Sequence, residues 1–193
     1  MTESAPPPIE ISGSPPESGE GQPLYFAVGI EKLVALSICS GGIYELYWFY
    51  KNWKLVEARY ETKISPFWRA FFAVFWCYPL FKNVAEVAKS REVKIDWQPG
   101  LLALGWIVVT LAWQLPDPLW LVSNLAVFFL IPFQKTVATL NASVAPSHAQ
   151  NRGLSGWNVL LIVVGGLSWV LLGLDLVYPE QPNWHQSTPL GAE

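Results

Sequence analysis

The sequence predicts an all-α fold, an integral membrane bundle of about four transmembrane helices with one aromatic-rich helix that is interfacial or re-entrant. Composition is the first observation: 52% of the 193 residues are hydrophobic and only 14% are charged, whereas soluble domains carry about 25% charged residues. The second observation is the pattern: the apolar residues form continuous blocks, whereas the helices of a soluble protein have a polar side. Eleven Trp and seven Tyr also suit the headgroup level of a bilayer.

The ends of the chain differ from its middle. Residues 1–22 are rich in Pro, Ser, Gly and Glu and predict a disordered tail. Residues 23–178 form the predicted helical membrane domain, and residues 179–193 form a flexible, Pro-rich tail. The N-terminus has no basic segment ahead of an apolar core, so no signal peptide is predicted. The net charge of −3 does not indicate nucleic-acid binding.

Four apolar runs predict the spans. The first, residues 33–50, would be about 27 Å long as a helix, near the thickness of a bilayer core, and we expect the helix to continue in water to about Tyr60. Its Gly41-Gly42 pair allows either a kink or a reversal into a re-entrant hairpin. Two shorter runs, 101–115 and 119–133, are separated by a Pro-Asp-Pro turn, and residues 157–177 are the clearest span.

Residues 66–81 predict the aromatic helix. Ser65-Pro66 is a favourable helix start, with Ser as the N-cap and Pro in the first turn. The run is short for a span and has Lys63 and Lys82 at its flanks, which favours an interfacial or re-entrant position. The alternative is a fifth span.

Lys and Arg positions predict the orientation. With four spans, every Lys and Arg except Lys32 faces the cytoplasm, and the C-terminal tail lies outside. A fifth span would leave four cations outside. A re-entrant hairpin at Gly41-Gly42 instead keeps all cations inside and places the N-terminal tail in the cytoplasm, although each arm would be only about 12 to 15 Å long.

Two stretches resemble a known family: GGIYELYWFYKNW (residues 41–53) and KISPFWRAFFAVFWCYPLF (residues 63–81). They are similar to a bacterial family of uncharacterised integral membrane proteins, known only by a domain of unknown function. LPDPLW, FQKTVATLN and NRGLSGWNVL also look similar, so the resemblance extends over most of the chain except its tails. It implies a helical inner-membrane protein and brings no activity.

Glu45 is the leading candidate for a polar site, because an ionisable group within a span is costly and turns toward protein or water. Glu45, Asn52 and Arg59 are spaced by sevens and share one helix face. Arg69 is the nearest lone charge outside that helix, and we expect it to pair with Glu45. The alternative is a Glu45 solvated at the interface. Five cations are candidates for contacts with anionic lipid headgroups: Lys51, Lys54, Arg59, Lys63 and Lys82.

These features predict a multi-pass protein of the cell inner membrane, with most Lys- and Arg-bearing loops cytoplasmic. The expected function is that of a non-catalytic membrane component acting through protein or lipid contacts, with no cofactor or metal. Its partners would be the lipid bilayer and a membrane protein or a second copy, and no nucleic acid. The alternative is a small oligomeric transporter or channel, which needs a polar path. An enzyme would need more titratable groups than Arg69 and two tyrosines near Glu45.

Overall fold

Every regular element that the structure describes is a helix, which confirms the all-α prediction. The structure is a computed structural model that describes residues 22–145 and 153–178. The two predicted tails therefore lie outside the described residues, apart from Gln22. The α-helices are α1 (Ile30–Cys39), α2 (Ile43–Tyr60), α3 (Pro66–Phe71), α4 (Ala73–Ser90), α5 (Pro99–Leu111), α6 (Leu130–Val144) and α7 (Gly156–Val177). Two 3₁₀ helices, Ala112–Gln114 and Leu119–Phe129, lie between α5 and α6.

The first predicted span is not one continuous helix, because the chain reverses at Gly41-Gly42. Both glycines have positive φ, 58° and 88°, in the left-handed region that other residues rarely adopt. The Gly42 N–H donates to the Ser37 carbonyl at 2.8 Å and the Gly41 N–H to the Ile38 carbonyl at 3.1 Å. This is a Schellman motif, which satisfies the last carbonyls of α1. The turn-back alternative is therefore the one the structure adopts.

The predicted aromatic helix is also divided. A break at Phe72 separates α3 from α4, and α4 then continues to Ser90. The start at Pro66 behind Ser65 is confirmed. The rings of Phe67, Trp68 and Phe71 stay more than half exposed, as a helix facing lipid requires.

The Pro-Asp-Pro turn joins two helices, as predicted, but the second is longer than expected. The 3₁₀ helix Leu119–Phe129 continues directly into α6, so the helical segment Leu119–Val144 has 26 residues. Pro132 does not end it; this residue lies inside the continuous segment, two residues after the 3₁₀ helix passes into α6 at Leu130.

Within the described residues, two helices are long and apolar enough to cross a membrane, Leu119–Val144 and Gly156–Val177. The second agrees with the predicted span at 157–177. The apolar segment Pro99–Gln114 is shorter, and the predicted span at 33–50 is broken. These findings support membrane association, without confirming four spans.

An extended segment at residues 22–28, which we call the strap, crosses one end of the bundle. Asn141 Oδ1 accepts from the Leu24 and Tyr25 N–H groups at 2.8 and 3.2 Å, and Asn141 Nδ2 donates to the Tyr25 carbonyl at 2.8 Å. Asn52 Oδ1 accepts from the Phe26 N–H at 3.1 Å. The strap thus ties α2 to α6 at this end.

Lys and Arg side chains gather at the end of the bundle that the strap crosses. The Arg59 guanidinium lies 4.6 Å from the Tyr25 ring. The Tyr25 hydroxyl donates to Asn83 Oδ1 of α4 at 2.7 Å. We call this the basic end; it carries Lys51, Lys54, Arg59, Lys82, Lys89 and Lys135. Gly41, Phe71 and Trp113 line one cavity, so the turns after α1, α3 and α5 meet at the opposite end, which we call the turn end.

Candidate functional site

Glu45 lies in the first turn of α2 and is only 4% exposed. Its Oε2 accepts a hydrogen bond from Trp106 Nε1 of α5 at 2.7 Å. The dipole of α2 is positive at this end and favours a carboxylate there, although the N–H groups of Ile43, Tyr44 and Glu45 are already bonded to Ser40 and Gly42. Glu45 therefore faces protein in the structure. Its partner is a neutral indole.

A cavity of about 250 Å³ adjoins the carboxylate at the turn end. Its lining is mostly apolar, with Trp106 and Trp113 as walls, and Thr110 and Ser123 bring hydroxyls to it. The Thr110 Oγ1 is buried without a hydrogen-bond partner. An apolar space with a carboxylate, two indoles and an unsatisfied hydroxyl is suited to a small polar or cationic group.

The expected ion pair between Glu45 and Arg69 is not formed. The two side chains are not within 4.0 Å of one another, the distance that defines an ion pair between described residues. The Arg69 guanidinium instead lies 4.4 Å from the Trp53 ring and 4.2 Å from the Trp76 ring, and the planes of the two rings meet at 88°. Cation–π attraction to the two rings takes the place of a countercharge. The prediction from the sequence considered only charged partners and overlooked that tryptophan could be the partner of Glu45 and of Arg69.

The five cations expected to contact lipid headgroups are in different settings. Lys51 lies 5.7 Å from the Phe26 ring, and Arg59 lies over Tyr25. Lys82 forms an exposed ion pair with Glu86 at 3.7 Å. Lys54 and Lys63 are exposed. Contact with lipid remains a prediction for all five.

Sequence reasoning missed the buried amides that hold the strap. Gln134 joins three elements, because its Oε1 accepts from Trp48 Nε1 at 3.0 Å and its Nε2 donates to the Phe26 and Val28 carbonyls. Burial raises the pKa of the Tyr25 hydroxyl, so this group stays protonated and donates to Asn83. The available signal was an amide inside an otherwise apolar helix, which needs a hydrogen-bonding partner when buried.

The part of the chain that the structure describes contains no group of three or more His, Cys, Asp or Glu side chains able to hold a metal ion. No protein-family model, curated protein or solved structure matches the chain. Inference about function therefore depends on the geometry alone.

Proposed function

We propose that the protein is a multi-pass protein of the cell inner membrane and acts as a non-catalytic component through contacts with lipid or with other membrane proteins. The observation that carries this proposal is α7. It is an apolar helix of 22 residues in which only Gly165 is buried. Ten of its Leu and Val side chains are exposed. These side chains are about half exposed, so moving ten of them from water into lipid is worth about 8 kcal/mol or more, which is within the range of the whole stability of a typical domain.

The proposed orientation puts the basic end in the cytoplasm. Lys32 supports it, because Lys32 and Lys135 line one cavity and the Lys32 amine donates to the Gly153 carbonyl at 2.7 Å. The α1–α2 and α3–α4 hairpins then enter the membrane and return. The segments Pro99–Gln114 and Leu119–Val144 form a third hairpin, and α7 alone ends on the other side. The N-terminus is then cytoplasmic and the C-terminus is on the other side. Every described Lys and Arg lies on the cytoplasmic side.

Reporter fusions test this arrangement. We expect a cytoplasmic signal from a reporter at the N-terminus and from one after Glu61, and a periplasmic signal after Glu193. A periplasmic signal at the N-terminus would restore the continuous first span and contradict the hairpin. Flotation of the protein with membranes after carbonate washing tests the membrane location itself, and recovery in the soluble fraction would contradict it.

A small oligomeric transporter or channel is the second candidate, and the cavity beside Glu45 favours it. This function requires that the carboxylate exchange protons or cations with water during the cycle. Proteoliposomes that hold a proton or sodium gradient test it. A leak in the wild type that Glu45→Gln abolishes supports the transporter, whereas equal tightness of protein-free and protein-containing vesicles supports the non-catalytic component.

A further inference from the structure

A long groove runs along α7 on the side that faces the α1–α2 hairpin. Two cavities, of about 660 and about 460 Å³, lie end to end and share the lining residues Ile43, Leu161 and Val164. The groove extends along α7 from Asn158 to Leu172. At 1.5 Å per residue this is about 21 Å, whereas one leaflet of a 30 Å hydrocarbon core is about 15 Å thick. The groove is long enough for a full acyl chain.

The two ends of this groove differ in chemistry. The end near the start of α7 is lined by Lys32, Ser155 and Asn158. Lys51 lies next to it, 6.0 Å from the ring of Tyr47, which also lines the groove. The first turn of α7 has no side-chain cap, and the positive end of its dipole also favours an anion. Beyond Ile43 the walls become apolar.

From this combination we infer that the groove binds one acyl chain of an anionic glycerophospholipid from the surrounding bilayer, with its phosphate at the Lys32 end and its chain along α7. The polar end of the groove matches the phosphate at the membrane surface, and its apolar remainder matches the acyl chain that extends toward the centre of the bilayer. An exposed helix face contacts a lipid on one side only, whereas an open groove between α1, α2 and α7 contacts an acyl chain on more than one side. The inference rests on the proposed membrane location, and it specifies which lipid class the protein holds.

Photolabelling of the full-length protein tests the inference. The protein is placed in lipid nanodiscs containing phosphatidylglycerol with a photoreactive group in its acyl chain, and labelled peptides are mapped by mass spectrometry. Val164→Trp fills the groove, and Val163→Trp is the matched control. Both valines are exposed, at 55% and 61%, but only Val164 lines the groove.

We expect labels to concentrate on groove-lining residues, and Val164→Trp to lower this labelling about tenfold while Val163→Trp leaves it unchanged. Unlabelled phosphatidylglycerol should compete better than phosphatidylcholine with the wild type, a comparison that needs no variant. Uniform labelling around α7, an equal response of the two variants, or equal competition by the two lipids would each overturn the inference. So would self-association that only Val164→Trp abolishes, because a second copy would then fill the groove. Failure to enter nanodiscs at all would instead count against the membrane location.

Discussion

Replacing Asn141 with Ala tests whether the strap is a fixed part of the fold. The side chain is 5% exposed and forms three hydrogen bonds to the strap backbone, to the N–H groups of Leu24 and Tyr25 and to the Tyr25 carbonyl. The substitution leaves buried backbone groups unpaired, at roughly 1 to 3 kcal/mol each. Since some of these groups gain water when the strap shifts, we expect a total loss of about 3 kcal/mol in the free energy of unfolding.

Asn124 supplies the matched control. Its amide nitrogen donates only to the Leu121 carbonyl of its own helical segment, so Asn124→Ala should cost less than about 1 kcal/mol. Unfolding of both variants is followed by far-UV circular dichroism during titration of mixed micelles with sodium dodecyl sulfate. Limited proteolysis reports separately on the strap, because local opening can precede global unfolding. Equal stability of the two variants, together with an unchanged cleavage rate at residues 22–28, would refute the reasoning.

Three further substitutions have defined outcomes. Gly165→Ala should weaken the packing of α7 by about 2 kcal/mol, because its Cβ would clash with the backbone carbonyl of Cys39 in α1. Gly166→Ala meets nothing within 4 Å and should be neutral, and detergent unfolding compares the two variants. Arg69→Lys should lower the free energy of unfolding by about 1 kcal/mol in the same assay, since an ammonium interacts less well than a planar guanidinium with the two indole rings. An unchanged midpoint of unfolding would contradict this. Trp106→Phe removes the donor to Glu45 and should cost about 2 kcal/mol. The loss should shrink when Glu45 is also replaced by Leu, which has no acceptor, and additive losses in this double-mutant cycle would show that the two residues are not coupled.

Local signals in the sequence located several helix boundaries correctly. The end of α2 at Tyr60, the start of α3 at Pro66 and the extent of α7 agree with the predictions. Each depends on neighbouring residues: a charged stretch, a Ser-Pro pair, or a long apolar run. Such signals act within one or two helical turns, so they can be recognised without knowing the rest of the fold.

The long-range features could not be predicted in the same way. A Gly-Gly pair in an apolar run is compatible with a kink and with a reversal, and the choice depends on what the returning helix packs against. Here Asn52 of α2 meets the strap, 26 residues earlier in the chain. The sequence did not indicate that Trp106 would donate a hydrogen bond to Glu45, because a tryptophan in an apolar run is equally expected at the lipid interface. The partners of buried polar groups are set by tertiary contacts.

The reversal at Gly41-Gly42 explains why a carboxylate can lie where Glu45 does. In a continuous helix over residues 33–50, Glu45 would sit past the middle, where the helix offers no net positive end. The reversal makes Gly42 the N-cap of a new helix and places Glu45 in its first turn, at the positive end of the helix dipole. It also brings the strap back to the basic end. One pair of glycines therefore determines both the side on which we place the N-terminus and the stability of the buried carboxylate, so a variant that straightens this turn should change both together.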